Sequence, residues 1–313
     1  MLNSFALAPS IGFLAATVRL STPLLLAASG ELVTERAGVL NLSIEGMMLN
    51  GALFGFLGAY FSGSLFVGWL AGMLAGALLA LLFSFFAITL RSHQVIVALG
   101  INLLALGETS FLYRKIFGLA TLTPQIKPAL PHPIPTLSHI PLLGPVLFDQ
   151  TILTYAAFLF PPLVWIFLYK TPAGRSLRAV GENAVAADSV GVDVQCIRYL
   201  ATIFGGLLAG LAGAYLSTVA LNLFLENMTG GAGWIAVTIV IFGNWSPLGI
   251  ALAALTFGGA EALQLRLQSS GIGVPREFIV MFPYLLTLVA LSGFVKRSKS
   301  PAQLCIPFIR SFQ

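Results

Sequence analysis

Glu45 stands inside a run of mostly apolar residues, ELVTERAGVLNLSIEGMMLNGALFGFLG, that extends from Glu31 to Gly58. A carboxylate at bilayer depth is costly, so such a residue faces a bundle interior or a cavity, where it is paired or solvated, and it marks a functional site. Arg19 lies in the preceding apolar run, roughly ten residues from one membrane face, while Glu45 lies about eight residues in from the other, at about 1.5 Å per residue. Their depths then differ by only several ångström. A guanidinium on its long stem spans that gap, so Arg19 and Glu45 are expected to form an intramembrane pair bracing the first two spans. Asn41, Asn50, Asn102, Glu108, Asn222, Glu226, Glu261 and Gln264 are the other polar groups in or near apolar runs. Polar groups placed sparsely along an apolar cavity are what orients a hydroxylated ligand. Asn102, in GINLLALGETSF, is the first of these as a ligand contact, with an amide satisfied by neighbouring helices as the alternative. Phe54, Trp234 and Tyr284 offer ring faces for stacking on a flat base, or simply pack.

Other chemistries lack their residues. There is no Gly-Lys dipeptide, hence no phosphate loop of the Walker type, and no complete G-x-G-x-x-G. His93, His132 and His139 stand without the paired spacing of a metal site, and no serine sits in a G-x-S-x-G elbow. The chain is expected to be no enzyme, to bind no metal or cofactor itself, and to have no nucleic-acid partner.

The elements that must position these residues are membrane spans. At 58% hydrophobic and 9% charged residues, with a mean hydropathy of +0.94, the chain cannot cover a water-soluble globule, whose charged share is about a quarter. A hydrocarbon core roughly 30 Å thick takes about 20 helical residues to cross. Backbone groups in lipid must be satisfied within the segment, and long apolar runs select helices over barrel strands. The expected fold is an all-α polytopic bundle of about nine spans, near 9–30, 37–60, 64–90, 93–112, 150–169, 199–221, 231–244, 247–265 and 277–295. Residues 1–295 form one transmembrane domain, followed by a basic tail, 296–313. The first basic residue, Arg19, lies within the first apolar run, so no cleaved signal is expected.

With the C-terminus in the cytosol, the inner segments hold Arg36, Arg91, Lys170, Arg175, Arg178, Arg198, Lys296, Arg297, Lys299 and Arg310, against Arg114, Lys115, Lys127, Arg266 and Arg276 outside. Ten to five favours that orientation by the positive-inside rule. Cys196 and Cys305 then both fall on the cytosolic side, where a disulfide framework is not expected. The external segment 113–149 carries seven of the 17 prolines and should be stiff and non-helical. Gly68, Gly72 and Gly76 recur every four residues in the third span, and Gly230, Gly231, Gly233 and Gly243 ring a short seventh span; such patterns allow close helix approach. LNGALFGFLGAY at 49–60 and FGGLLAGLAGAY at 204–215 agree at six of twelve positions, a similarity that chance explains equally well in so Gly-, Ala- and Leu-rich a chain.

The inner segment 170–198, KTPAGRSLRAVGENAVAADSVGVDVQCIR, is the most charged stretch. Asn183 fits an N-cap before AVAADSV, and Gly191 fits the residue after the helix end. A capped, mildly amphipathic helix in a loop suits docking to a cytosolic partner; a solvated connector is the alternative.

Several blocks together resemble the permease subunit of bacterial ABC importers, in the branch for simple sugars and nucleosides related to ribose and branched-chain amino acid permeases. They are RLSTPLLLAASGELVTERAGVLNLSIEGMMLNGA, GINLLALGETSFLYRKIFG, TPAGRSLRAVGENAVAADSVGVDV, IFGNWSPLGIALAALTFGGAEALQLRLQ and MFPYLLTLVAL, spanning residues 19–291. The resemblance implies a second permease subunit, homologous or identical, two cytosolic ATPase subunits that use ATP and Mg, and an external substrate-binding lipoprotein. The loop at Arg175 and through Asn183, Ala184, Val185, Ala186, Ala187, Asp188, Ser189, Val190 and Gly191 becomes the ATPase coupling loop. Asn41, Glu45 and Asn102 come to border the substrate pathway, with Phe54 and Trp234 beside it. Glu108 and Ser43 depart from the family pattern, and the tail KRSKSPAQLCIPFIRSFQ has no counterpart in it. The reading is a permease of the bacterial cytoplasmic membrane, moving nucleosides, related ribose-containing solutes or simple sugars inward. Two alternatives are an ion- or proton-coupled secondary transporter using Glu45, and a membrane-embedded enzyme with Glu45 and Arg19 catalytic.

Overall fold

The computed structural model describes residues 2–118, 123–141, 143–269 and 300–309, with Phe278, Met281, Leu285 and Leu288 as isolated positions. Among the described residues there is no strand. The helices are α1 (Leu2–Arg36), α2 (Ile44–Ser62), α3 (Leu65–Ser84), α4 (Gln94–Phe117), α5 (Ile152–Lys170), α6 (Pro172–Glu182), α7 (Ala184–Ser189), α8 (Val194–Tyr215), α9 (Ala232–Phe242) and α10 (Pro247–Ser269). Single π-helical turns extend α3 over Phe85–Thr89 and α8 over Leu216–Ala220. Among the described residues seven helices are long and apolar enough to cross a membrane; α9, with 11 residues, is too short to do so alone. The ninth expected span, 277–295, and Tyr284 within it lie outside the described residues.

Two boundaries differ from expectation for a local reason. The first helix does not stop near residue 30 but continues to Arg36, because ELVTER contains no helix breaker. It ends where Gly38 takes φ +86° and donates its N–H to the Glu35 carbonyl at 2.9 Å. Residues 37–43, expected to open the second span, form a turn that folds back alongside α1, so α2 begins only at Ile44. The segment 170–198 is likewise more than a loop around one short helix. Thr171 caps α6 by accepting the Gly174 N–H at 3.1 Å, with Pro172 at the first helical position, and Asp193 caps α8 by accepting the Cys196 N–H at 3.0 Å.

At the centre α2, α3 and α8 meet backbone to backbone. A Cβ on Gly51 of α2 would lie 2.1 Å from the Gly210 carbonyl oxygen of α8, and one on Gly210 would lie 2.2 Å from the Gly72 oxygen of α3. Only hydrogen on these α-carbons permits that approach, which is how apolar helices gain packing energy in lipid. The similar stretches 49–60 and 204–215 therefore face each other across this seam. Outside it, Leu74, Leu78, Ile96, Leu103 and Phe111 are exposed, as lipid-facing residues are.

The two ends of the bundle differ. At one end lie α6, α7, the α1–α2 turn and residues 300–309; at the other lies the proline-rich segment. The latter is largely extended as expected, although α4 runs on to Phe117 and short turns form at Leu137–His139 and Gly144–Phe148. It is tied by the N–H groups of Ile126 to the Asn222 carbonyl (3.0 Å) and of His132 to the Gln150 carbonyl (2.9 Å).

Candidate functional site

Glu45 lies in the first turn of α2, and its carboxylate is engaged by three donors from the segment that opens α9. The Thr229 hydroxyl reaches it at 2.6 Å, the Gly231 N–H at 2.9 Å and the Gly233 N–H at 2.7 Å. Gly231 has φ +94°, and a Cβ on Gly233 would lie 2.5 Å from the Glu45 nitrogen. The glycines thus let the chain present the N–H groups of residues 231 and 233 at the anion, the arrangement a helix N-terminus offers any carboxylate. The cluster Gly230, Gly231, Gly233, visible in sequence, was the mark of this acceptor site.

The start of α2 is itself capped from α4. The Asn102 amide oxygen accepts the Gly46 N–H at 2.8 Å, and its nitrogen donates to the Leu42 carbonyl at 3.0 Å. Asn41 is fully buried. Its side-chain oxygen accepts the Ser43 N–H at 3.1 Å and the Ser43 hydroxyl, while its own backbone N–H donates to Glu31 at 2.9 Å. Asn41, Glu45 and Asn102 therefore do come together, but as the joint that fixes α2, α4 and α9 to one another.

Behind the joint is a second cluster that sequence reasoning did not single out. Glu35, buried on α1, accepts the Trp245 indole N–H, while the Arg36 guanidinium donates twice to the Trp245 carbonyl, through Nε at 3.0 Å. Asn244 and Trp245 both sit in the left-handed region, at φ +53° and +49°. That is costly for a tryptophan, and the two side chains from α1 hold it. The IFGNW block was legible as a motif; that it answers to VTER across 200 residues was not.

Arg19 does not pair with Glu45. Among the described residues the ion pair is Arg114 with Glu226, 2.7 Å, at the proline-rich end, and it is largely exposed. The expected brace between spans 1 and 2 is replaced by hydrogen bonds to α9 because the turn at 228–233 reaches the carboxylate first. Arg19 instead lines a cavity of about 450 Å³ that opens towards the proline-rich end. Its walls are α1 (Arg19, Leu20, Pro23), Ala129, Pro131 and Asp149 of the proline-rich segment with Gln150 and Thr151 after it, the π turn of α8, Met228 and Thr229, and Glu261 of α10. Thr229 belongs both to this lining and to the Glu45 site, so the carboxylate holds part of the cavity wall. Phe54, half-buried, and Trp234, 40% exposed, are not among its lining residues.

At the opposite end α7 has the caps its sequence promised. Asn183 accepts the Ala186 N–H at 3.0 Å, and Gly191 takes φ +87° after the last turn. Ala184 and Ala187 are buried with Val180 and Val194, whereas Val185 and Val190 are exposed, at 57% and 78%. Residues 300–309 lie across the same end. The Gln303 N–H donates to the Gly181 carbonyl (2.9 Å), the Cys305 N–H to Gly38 (3.2 Å), and buried Arg198 of α8 to the Ile306 carbonyl (2.9 Å), while Phe308 joins the cluster beneath α7.

Comparison with known proteins places these features in context. The family described as branched-chain amino acid transport system / permease component matches residues 13–291. A putative glucose ABC transporter permease of Haloferax volcanii is 41% identical over 318 residues, covering 95% of each chain. A guanosine ABC transporter permease of Bacillus subtilis is 37% identical, covering 94% of this chain and 95% of the relative. A nucleoside ABC transporter permease of Lactococcus lactis is 33% identical, covering 93% and 94%. No solved structure matches the chain.

Proposed function

The chain belongs to the branched-chain amino acid transport system / permease component family and is a membrane-spanning permease of the ABC importer type; from that premise we propose that its cargo is a nucleoside, a related ribose-containing solute or a simple sugar. The names of its relatives support this class of neutral, hydroxylated solute. The chain works beside a second permease subunit and receives its solute from an external binding protein. ATP and Mg act in separate cytosolic subunits. The end bearing α6, α7 and the C-terminal segment faces the cytosol, in line with the excess of Arg and Lys there.

One observation carries the coupling role: α7, capped at both ends, presents exposed Val185 and Val190 on a segment beyond the membrane spans, where lipid does not cover them. Apolar side chains left bare in water mark a protein contact. An ATPase gripping α7 can drive the bundle between outward- and inward-open states only through contacts that differ between them, and rigid-body rocking is the motion such a lever gives. Asn41, Glu45 and Asn102 serve this pathway by holding the helices that border it.

Replacement of Val185 through Ser189 by a Gly-Ser linker tests the assignment. The variant should reach the membrane in normal amount, while ATP-dependent uptake into vesicles containing the whole importer is abolished. Unchanged uptake removes the docking role.

A further inference from the structure

The cavity holding Arg19 differs from the joint around Glu45 in one respect: its ionic groups have no partners among the described residues. Tyr215 in its wall donates its hydroxyl to the Arg19 backbone carbonyl at 3.2 Å, and the Thr229 hydroxyl is committed to Glu45. Among the described residues, however, no hydrogen bond or ion pair engages the Arg19 guanidinium, the Glu261 carboxylate or the Asp149 carboxylate, although all three line the same space. Arg19 and Glu261 lie within membrane-spanning helices, where charges are kept only when something meets them. The rest of the lining sets the polar side chains of Gln150, Thr151, Tyr215 and Thr229 among apolar ones, including Leu20, Pro23, Leu216 and Val219. The wall contributed by α8 is a π-helical turn, a local widening found often at functional sites.

The chemistry of the three groups defines what they meet. Two carboxylates accept hydrogen bonds only, and a guanidinium donates only. A ligand between them must offer hydroxyl or N–H donors and at least one carbonyl or ring-nitrogen acceptor. Adjacent hydroxyls suit a carboxylate, as in the acid that binds a ribose hydroxyl in dinucleotide sites. Two acids against one base leave the lining with a net negative charge, which repels phosphate. A volume of about 450 Å³ lies in the range of small-molecule sites.

We propose that this cavity is the solute site of the permease on the side facing the binding protein, taking a neutral solute with a vicinal diol through Glu261, Asp149 and Arg19 and rejecting its phosphorylated form. Ribose of a nucleoside and a free sugar share this chemistry. The proposal rests on the importer reading above. Glu45 acts on it as a positioning residue, because it anchors the Thr229 wall.

The test uses the assembled importer in vesicles, with Cys196→Ser and Cys305→Ser as background and Ala220→Cys as reporter, since Ala220 is an exposed lining residue. A membrane-impermeant thiol reagent added outside should label the reporter. Guanosine or glucose at about ten times its dissociation constant should slow labelling about tenfold, whichever of the two protects naming the source of the diol. Guanosine monophosphate should give no protection, and Glu261→Gln or Arg19→Gln should remove that given by the neutral solute. Labelling from the cytosolic side only, equal protection by the phosphate, or protection that survives both substitutions overturns the proposal. Absence of protection by either solute in vesicles that import one of them also overturns it. Failure of the wild-type vesicles to import either solute would strike the cargo reading instead, and the two results are separable because uptake and labelling are read independently.

Discussion

Asn102 illustrates how one side chain supports two opposite readings until its partners are known. An amide alone in an apolar helix suits a ligand contact, yet both ends of this one are spent on the first turn of α2. Asn102→Leu leaves a donor and an acceptor without partners, at about 1–3 kcal/mol each when buried. The expected outcome is a lower melting temperature of the detergent-solubilised protein, with uptake falling in proportion to folded protein and KM unchanged. A raised KM at unaltered melting temperature would return Asn102 to the ligand contacts. Glu45→Ala should be worse, because hydrogen bonds to a charged group are worth roughly 1.5–3 kcal/mol apiece and three are lost. Glu45→Gln, which keeps an acceptor oxygen, should lie between. The acid itself was legible as special from its place in an apolar run. Its partners were not, because Thr229, Gly231 and Gly233 lie more than 180 residues away in sequence.

At the scale of elements, the glycine spacing of α3 foretold close approach, and the partner helices α2 and α8 carry glycines of their own at the crossing. Gly210→Leu would force a side chain into the Gly72 carbonyl, where even a Cβ lies at 2.2 Å. Backbone cannot yield as a flexible side chain does, so the seam must open and forfeit its packing contacts. This variant should disappear from the membrane fraction in immunoblots. Gly100→Leu on α4, where a Cβ meets nothing within 4 Å, should accumulate normally and serves as the control. Helix ends were less legible than helix existence. The α1 terminus turned on Gly38 and on a fold-back against Glu31, a tertiary contact that no local propensity encodes.

At the scale of the whole molecule, residues 300–309 join three parts at the α7 end of the bundle: the α1–α2 turn, the end of α6 and the start of α8. Arg198 is 2% exposed beneath this strap, with its Nε and Nη2 unpartnered, so removing the strap uncovers it and loosens α7 from its cluster with Phe308. Deletion of 300–313 should leave the protein in the membrane but reduce uptake and make ATP hydrolysis by the assembled importer insensitive to solute. Hydrolysis assays with and without solute check this; preserved stimulation would mean the strap has no share in coupling. The tail had no counterpart in the family pattern, and its sequence reads only as basic.

Composition and hydropathy alone determined the solvent of this chain, its helical class and most of its spans, because lipid leaves few ways to satisfy a backbone and writes its thickness into apolar run length. Local capping rules likewise placed α7 between Asn183 and Gly191. Tertiary structure alone decided which polar groups are spent on the fold: Glu45, Asn41 and Asn102 hold helices together, while Arg19, Asp149 and Glu261 line a cavity and have no partner among the described residues. Hydrogen-bond partners of buried groups are set by contacts between distant segments, and one sequence position carries no record of the segment that folds against it.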